Sequence, residues 1–214
     1  MKSIIKVCGM KDADNIRKVE ALGIDWMGFI FWPKSSRYVC ERPIYLPQKA
    51  KRVGVFVDES IENVRQTADD YALDYIQLHG HESPDYCAQL QSRPIIKAFN
   101  IATSDDLSRT KAYEGLVDYF LFDTRSPVRP VCSDVIATPL PGGSGKKFDW
   151  NVLMGYNGST PFLLSGGIGP DDATLIKAFL HPLCIGIDLN SRFETEPGIK
   201  QVGKLKEFLK QSKQ

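Results

Sequence analysis

Three side chains able to do chemistry stand where the chain changes character: Cys8, Arg37 and Asp123. Cys8 follows the short apolar run Ser3–Val7 and precedes Gly9. A thiol there can serve as nucleophile or base, but only as thiolate, and a lone cysteine is more often a small packing residue. Asp123 closes the apolar run Tyr119–Phe122. A carboxylate ending such a run faces a pocket mouth, where partial desolvation suits it to proton donation; a cap or loop hydrogen bond is the competing role. Arg37, in Ser35-Ser36-Arg37, carries a planar fork that matches a carboxylate, although most loop arginines are surface charges.

These residues need elements to hold them. Near-continuous apolar runs recur at Ile4–Val7, Trp26–Phe31, Val53–Val57, Tyr75–Leu78, Ile95–Ala98, Tyr119–Phe122, Phe162–Leu164 and Cys184–Leu189. Such runs suit strands covered on both faces. Helix signals lie between them. Asp12 opens one helix, closed by Gly23; Ser60 opens another; Ser83-Pro84, and Thr103 or Ser104, are N-caps. Pro170 starts a helix through Phe179, and the last runs from about Gly198 to Gln211. Cys40–Lys51, with Pro43 and Pro47, predicts a short or irregular element. Eight βα units in 214 residues predict an α/β fold, a single (βα)8 TIM barrel spanning residues 1–214. An open sheet would carry a Gly-rich fingerprint after its first strand, and Cys8-Gly9-Met10 is not one.

The barrel gives the late glycines a meaning. Gly142-Gly143-Ser144-Gly145 follows the sixth strand, Gly166-Gly167-Ile168-Gly169 the seventh, and Asn190-Ser191 the eighth. One such loop is usually only a turn, but loops after strands seven and eight are the recurrent phosphate site of these barrels. A phosphorylated small molecule is the ligand expected. Around the ring, Arg37, Cys8, the phosphate site and Asp123 then follow in order: carboxylate clamp, base, anion site, acid.

A net charge of +1 makes no case for nucleic acid or an anionic membrane. No apolar stretch approaches a membrane span, and Lys6 interrupts the N-terminal one, so no signal peptide is expected. The five cysteines have no C-x-x-C pair, which fits reduced thiols and a cytoplasmic protein, acting as monomer or homodimer.

Lys6-Val7-Cys8-Gly9-Met10, Gly28-Phe29 through Ser35-Ser36-Arg37-Tyr38-Val39, Val53–Val57 and Gln77-Leu78-His79-Gly80 together resemble the phosphoribosylanthranilate isomerases. So do Phe122-Asp123-Thr124, Gly142 through Trp150, and Leu164-Ser165-Gly166-Gly167-Ile168. The resemblance implies a one-domain barrel of tryptophan biosynthesis carrying out an Amadori rearrangement without metal or organic cofactor. It implies that Asp123 is the general acid, Cys8 the general base and Arg37 the anthranilate-carboxylate clamp, with Gly166, Gly167 and Ser191 at the phosphate. Gly142, Gly143 and Asn190 complete the expected substrate-binding set. A thiol with a free pKa of about 8.5 would need some local lowering to work as a base, and the sequence names no group that supplies it. Three departures stand out: Asn190-Ser191-Arg192 where Ser-Ser-Gly is common, a long proline-rich segment from Arg125 to Pro141, and Ser36 where proline is frequent. The other readings are a metal-dependent phosphosugar epimerase, disfavoured because His79 is the lone histidine at a strand end, and a barrel that binds phosphate without turnover.

Overall fold

The computed structural model describes residues 4–90, 92–123 and 150–213. Eight parallel strands form a closed barrel: β1 (Ile4–Val7), β2 (Trp26–Ile30), β3 (Lys51–Phe56), β4 (Tyr75–Leu78), β5 (Ile95–Asn100), β6 (Tyr119–Asp123), β7 (Phe162–Ser165) and β8 (Cys184–Leu189). Every expected strand is present, shifted by two residues at most at either end.

Around the barrel, α1 (Ala13–Glu20), α2 (Ile61–Asp70) and α3 (Pro84–Gln89) start at Asp12, Ser60 and Ser83, whose side chains accept backbone N–H groups of the first turn. The Thr103 cap leads into a 3-10 run, Ser104–Tyr113, rather than an α-helix. There the Asp106 carboxylate accepts the N–H groups of Ala102 and Thr103. A 3-10 turn at Pro170–Asp172 precedes α4 (Ala173–Ala178). The last helix, α5 (Val202–Lys213), begins later than expected, because β9 (Glu194–Glu196) and β10 (Ile199–Lys200) form an antiparallel hairpin first. Gly198 turns that hairpin at φ +92°, a conformation open to glycine.

No helix joins β2 to β3, as the prolines predicted. One buried carboxylate organises that stretch instead: Glu20 accepts the N–H groups of Gln48, Lys49 and Ala50 and the Tyr45 hydroxyl.

The strand period of two sorts each strand's residues. On β6, Phe120 and Phe122 face the helices, Leu121 belongs to the barrel interior, and Asp123 reaches the upper cavity. Below, Trp26 and Tyr75 stack with ring centroids 4.4 Å apart, and Tyr119 meets Trp26 edge-on at 5.4 Å, plugging the bottom. The open space of the barrel lies at the C-terminal ends of the strands.

The barrel closes where β1 pairs with β8, Ile4 opposite Gly186 and Val7 opposite Leu189. A Cβ on Gly186 would lie 2.1 Å from the Ile4 carbonyl oxygen, a backbone atom. Gly186→Ala is expected to lower stability by about 2–3 kcal/mol through this overpacking. A lowered urea midpoint would report it; an unchanged midpoint would show that the seam is not tight.

Candidate active site

A cavity of about 720 Å³ opens at the C-terminal ends of the strands, and Cys8, Arg37, Asp123, Gly166, Gly167, Asn190 and Ser191 all line it. Gly142 and Gly143, and the long segment from Arg125 to Pro141, lie outside the described residues. Gly166 and Gly167 adopt φ of +92° and +65°, which turns the chain sharply after β7. Gly9 (φ +77°) has a second reason to be glycine: a Cβ there would sit 2.6 Å from Arg37 Cδ and 2.9 Å from Asn190 Oδ1. The arginine stem and Asn190, just after β8, thus close over the backbone just after the thiol.

Cys8 is 3% exposed and its N–H donates to Leu189 O at 2.9 Å. Two positions back on the same face, Lys6 is fully buried, and its Nζ donates to Asp188 Oδ1 at 2.8 Å. Ser165 Oγ donates to Asp188 Oδ2 at 3.3 Å. Burial alone would lower Lys6, but Asp188, with the thiol beside it, leaves its pKa raised, so the ammonium is retained. For Cys8 the outcome differs from the lowering expected of a thiol base. Burial pushes the thiol up, Asp188 adds to that, and the opposing pull of Lys6 and Lys200 does not overcome it. Lys6 is the main lowering influence, and its strength is divided because Asp188 holds it.

Asp123 is 2% exposed, with Oδ2 at 3.7 Å from His79 Nε2. Gln77 Nε2 lies 2.9 Å from His79 Nδ1. The Gln77 amide therefore fixes the orientation of the imidazole and turns its Nε2 edge toward Asp123. The loop carrying His79 is pinned by Lys97, which donates to Gly80 O and to Glu82 Oε2, each at 2.8 Å. Glu82 in turn accepts the N–H groups of Asp58 and Gly80.

Arg37 does not stand free in the cavity wall. Its Nε donates to Glu194 Oε1 at 2.9 Å and its Nη2 to Glu194 Oε2 at 2.5 Å, which raises its pKa. Lys200 Nζ shares that carboxylate, at 2.5 Å from Oε1, and also donates to Asn190 Oδ1 at 2.8 Å. Burial opposes ionisation of Glu194, yet the bonds from Arg37 and Lys200 hold it below the usual carboxylate range. Burial keeps Lys200 below the ordinary amine value despite Glu194. Arg192 also lines the cavity, its side chain passing beside Gly169. Among the described residues no three His, Cys, Asp or Glu side chains gather as a metal-ligand set.

The structure therefore adds Lys6, Asp188, His79, Glu194 and Lys200 to the site. Lys6 and Asp188 carried a signal, since each interrupts an otherwise apolar strand. Glu194 and Lys200 carried none, lying in an exposed-looking polar stretch whose hairpin was not foreseen.

A family profile described as N-(5'phosphoribosyl)anthranilate (PRA) isomerase matches residues 5–211. An N-(5'-phosphoribosyl)anthranilate isomerase of Parabacteroides distasonis is 53% identical, over 97% of this chain and 92% of that protein. One from Phocaeicola vulgatus is 50% identical, over 99% of this chain and 98% of that protein. The crystal structure of the Thermotoga maritima phosphoribosyl anthranilate isomerase superposes with a TM-score of 0.78 at 29% identity, covering 99% of this chain and 98% of that one. A phosphoribosyl anthranilate isomerase bound to reduced 1-(o-carboxyphenylamino)-1-deoxyribulose 5-phosphate has a TM-score of 0.77 at 26% identity, covering 99% and 98%.

Lys6→Met removes the largest influence lowering the Cys8 pKa and strands Asp188 in the interior. Stability should fall by about 3–5 kcal/mol, the cost of breaking a buried ion pair from one side. The pH at which iodoacetamide alkylates Cys8, followed by peptide mass spectrometry, should move upward. An unmoved alkylation profile would show that the lysine does not act on the thiol.

Proposed function

This chain belongs to the N-(5'-phosphoribosyl)anthranilate isomerase family, and from that premise we propose how its own residues carry the reaction. The enzyme performs the Amadori rearrangement of N-(5-phosphoribosyl)anthranilate to 1-(2-carboxyphenylamino)-1-deoxyribulose 5-phosphate, a step of tryptophan biosynthesis. The observation that carries the assignment of roles is the arrangement of Cys8 and Asp123 on either side of the β7 and β8 rim, in one cavity with Arg37.

Asp123 donates its proton to the furanose ring oxygen. The C1–O bond breaks, and the anthranilate nitrogen lone pair forms the C1=N bond of a Schiff base. The Cys8 thiolate removes the C2 proton; the electron pair becomes the C1=C2 bond and the nitrogen recovers its lone pair. The resulting enolamine becomes the ketone by moving a proton from the C2 hydroxyl to C1. The substrate nitrogen is thus the electron sink, and the chain supplies proton transfer and orientation. His79, with its Nε2 edge toward Asp123 at 3.7 Å, orients the acid.

Arg37 holds the anthranilate carboxylate. Backbone N–H groups at Gly166, Gly167 and Ser191 take the phosphate, and Asn190 borders it. Arg192, where the family commonly has glycine, adds a cation beside the Gly169 turn. The chain works as one barrel domain on a soluble phosphorylated metabolite, which fits the cytoplasm, and no helix among the described residues is long and apolar enough to cross a membrane.

Freshly made phosphoribosylanthranilate should lose its fluorescence in the presence of the enzyme. Asp123→Asn and Cys8→Ser should each slow that loss by about 10²–10⁴-fold, the usual worth of a general acid or base. Variants that turn over like the parent would sink the two assignments, and an inert parent would favour phosphate binding without turnover.

The raised thiol pKa has its own consequence. Below that pKa, kcat/KM should climb in proportion to the thiolate fraction, still rising past about pH 8.5, where a free thiol is half ionised. A profile already flat through neutrality would mean that the base is not a buried, protonated thiol in the free enzyme.

A further inference from the structure

We propose that Glu194 is a positioning residue for substrate recognition: it occupies one edge of the Arg37 guanidinium so that the other edge faces the substrate carboxylate. The inference rests on Arg37 being that carboxylate's clamp.

A guanidinium presents two edges able to grip a carboxylate with two parallel bonds, one made by Nε and Nη2 and one by Nη1 and Nη2. Glu194 takes the first, through Nε at 2.9 Å and Nη2 at 2.5 Å. Among the described residues nothing accepts from Nη1, and Arg37 lines the cavity. The internal carboxylate thus chooses which edge the ligand meets. It also removes rotamer freedom from a long side chain before the ligand arrives, a cost that binding would otherwise bear.

Glu194 is itself held hard. It is only 4% exposed; Gly198 N–H donates to Oε1 at 3.1 Å and Lys200 Nζ to the same oxygen at 2.5 Å. Lys200 is fixed through its backbone, with N–H donating to Asn15 Oδ1 and carbonyl accepting from Asn15 Nδ2, both at 2.8 Å. The hairpin is thereby fastened to α1 and delivers its carboxylate to an arginine 157 positions away. Electrostatics acts in the same direction. Glu194 lies between Arg37 and Lys200, and without its charge the two cations would repel and the fork would swing from its place.

The test compares two competitive ligands on the whole enzyme: reduced 1-(o-carboxyphenylamino)-1-deoxyribulose 5-phosphate and the same compound lacking the ring carboxylate. Glu194→Gln should weaken the carboxylated ligand about tenfold while leaving the other within about twofold, as expected for loss of one charge-assisted contact. KM should rise with kcat nearly unchanged. Equal weakening of both ligands would reduce Glu194 to a structural role, and tighter binding of the carboxylated ligand would make it a competitor for the fork; either overturns the inference. Arg37→Ala separates the premise: if the enzyme keeps its preference for the carboxylated ligand, the clamp assignment fails and the inference with it. If only Glu194→Gln is without effect, the clamp stands and the inference alone falls. Should Glu194→Gln not fold, Glu194→Asp, which keeps the charge but shortens the arm by one methylene, is judged by the same ratio and the same outcomes.

Discussion

Closure of the sheet between β1 and β8 is the constraint on which the remaining structure depends. Pairing Ile4–Val7 with Gly186–Leu189 brings Cys8 beside the end of β8 and sets Lys6 opposite Asp188. The thiol, the ion pair beneath it and the rim that faces Asp123 all come from this one seam. It tolerates no side chain at Gly186, because the Ile4 carbonyl fills that space. A strand slipped by one residue would turn Lys6 and Cys8 outward among the helices, since side chains alternate along a strand.

The rim then holds cations next to a thiol without leaving them loose. Lys6 is tied to Asp188, while Arg37 and Lys200 share Glu194. An unpaired charge in such a place would be strongly destabilising, whereas paired charges with further hydrogen bonds can be buried. The arrangement limits how far any cation stabilises the thiolate, and burial accordingly prevails at Cys8. The thiol is thereby kept above its ordinary pKa despite two nearby cations.

The barrel was legible because its strands are apolar on both faces and its helices begin at Asp12, Ser60 and Ser83, local signals that tertiary contacts did not override. Cys8, Asp123, Gly166 and Ser191 were legible because fold topology alone brings strand ends together. The supporting shell was harder to read. The Lys6–Asp188 contact joins residues 182 positions apart, and only the closed ring makes them neighbours. Glu194 was hidden by its hairpin, whose three-residue and two-residue strands are too short to show a period. The Thr103 start was found but the helix type was not, since caps mark a beginning and say little about how the turn winds.

That same seam ties the burial of Cys8 to the order in which the chain assembles. Residues 4–7 pair on one side with nearby β2, but their other partners, residues 186–189, lie at the far end of the chain, so the β8 side of the thiol is built from contacts among the most distant in sequence. Such contacts come at the cost of closing a very long loop and tend to form late. On a growing or refolding polypeptide, Cys8 would remain an ordinary thiol in contact with water until the ring shuts. Loss of Cys8 reactivity toward a water-soluble alkylating reagent would therefore mark the shutting of the ring rather than the general collapse of the chain.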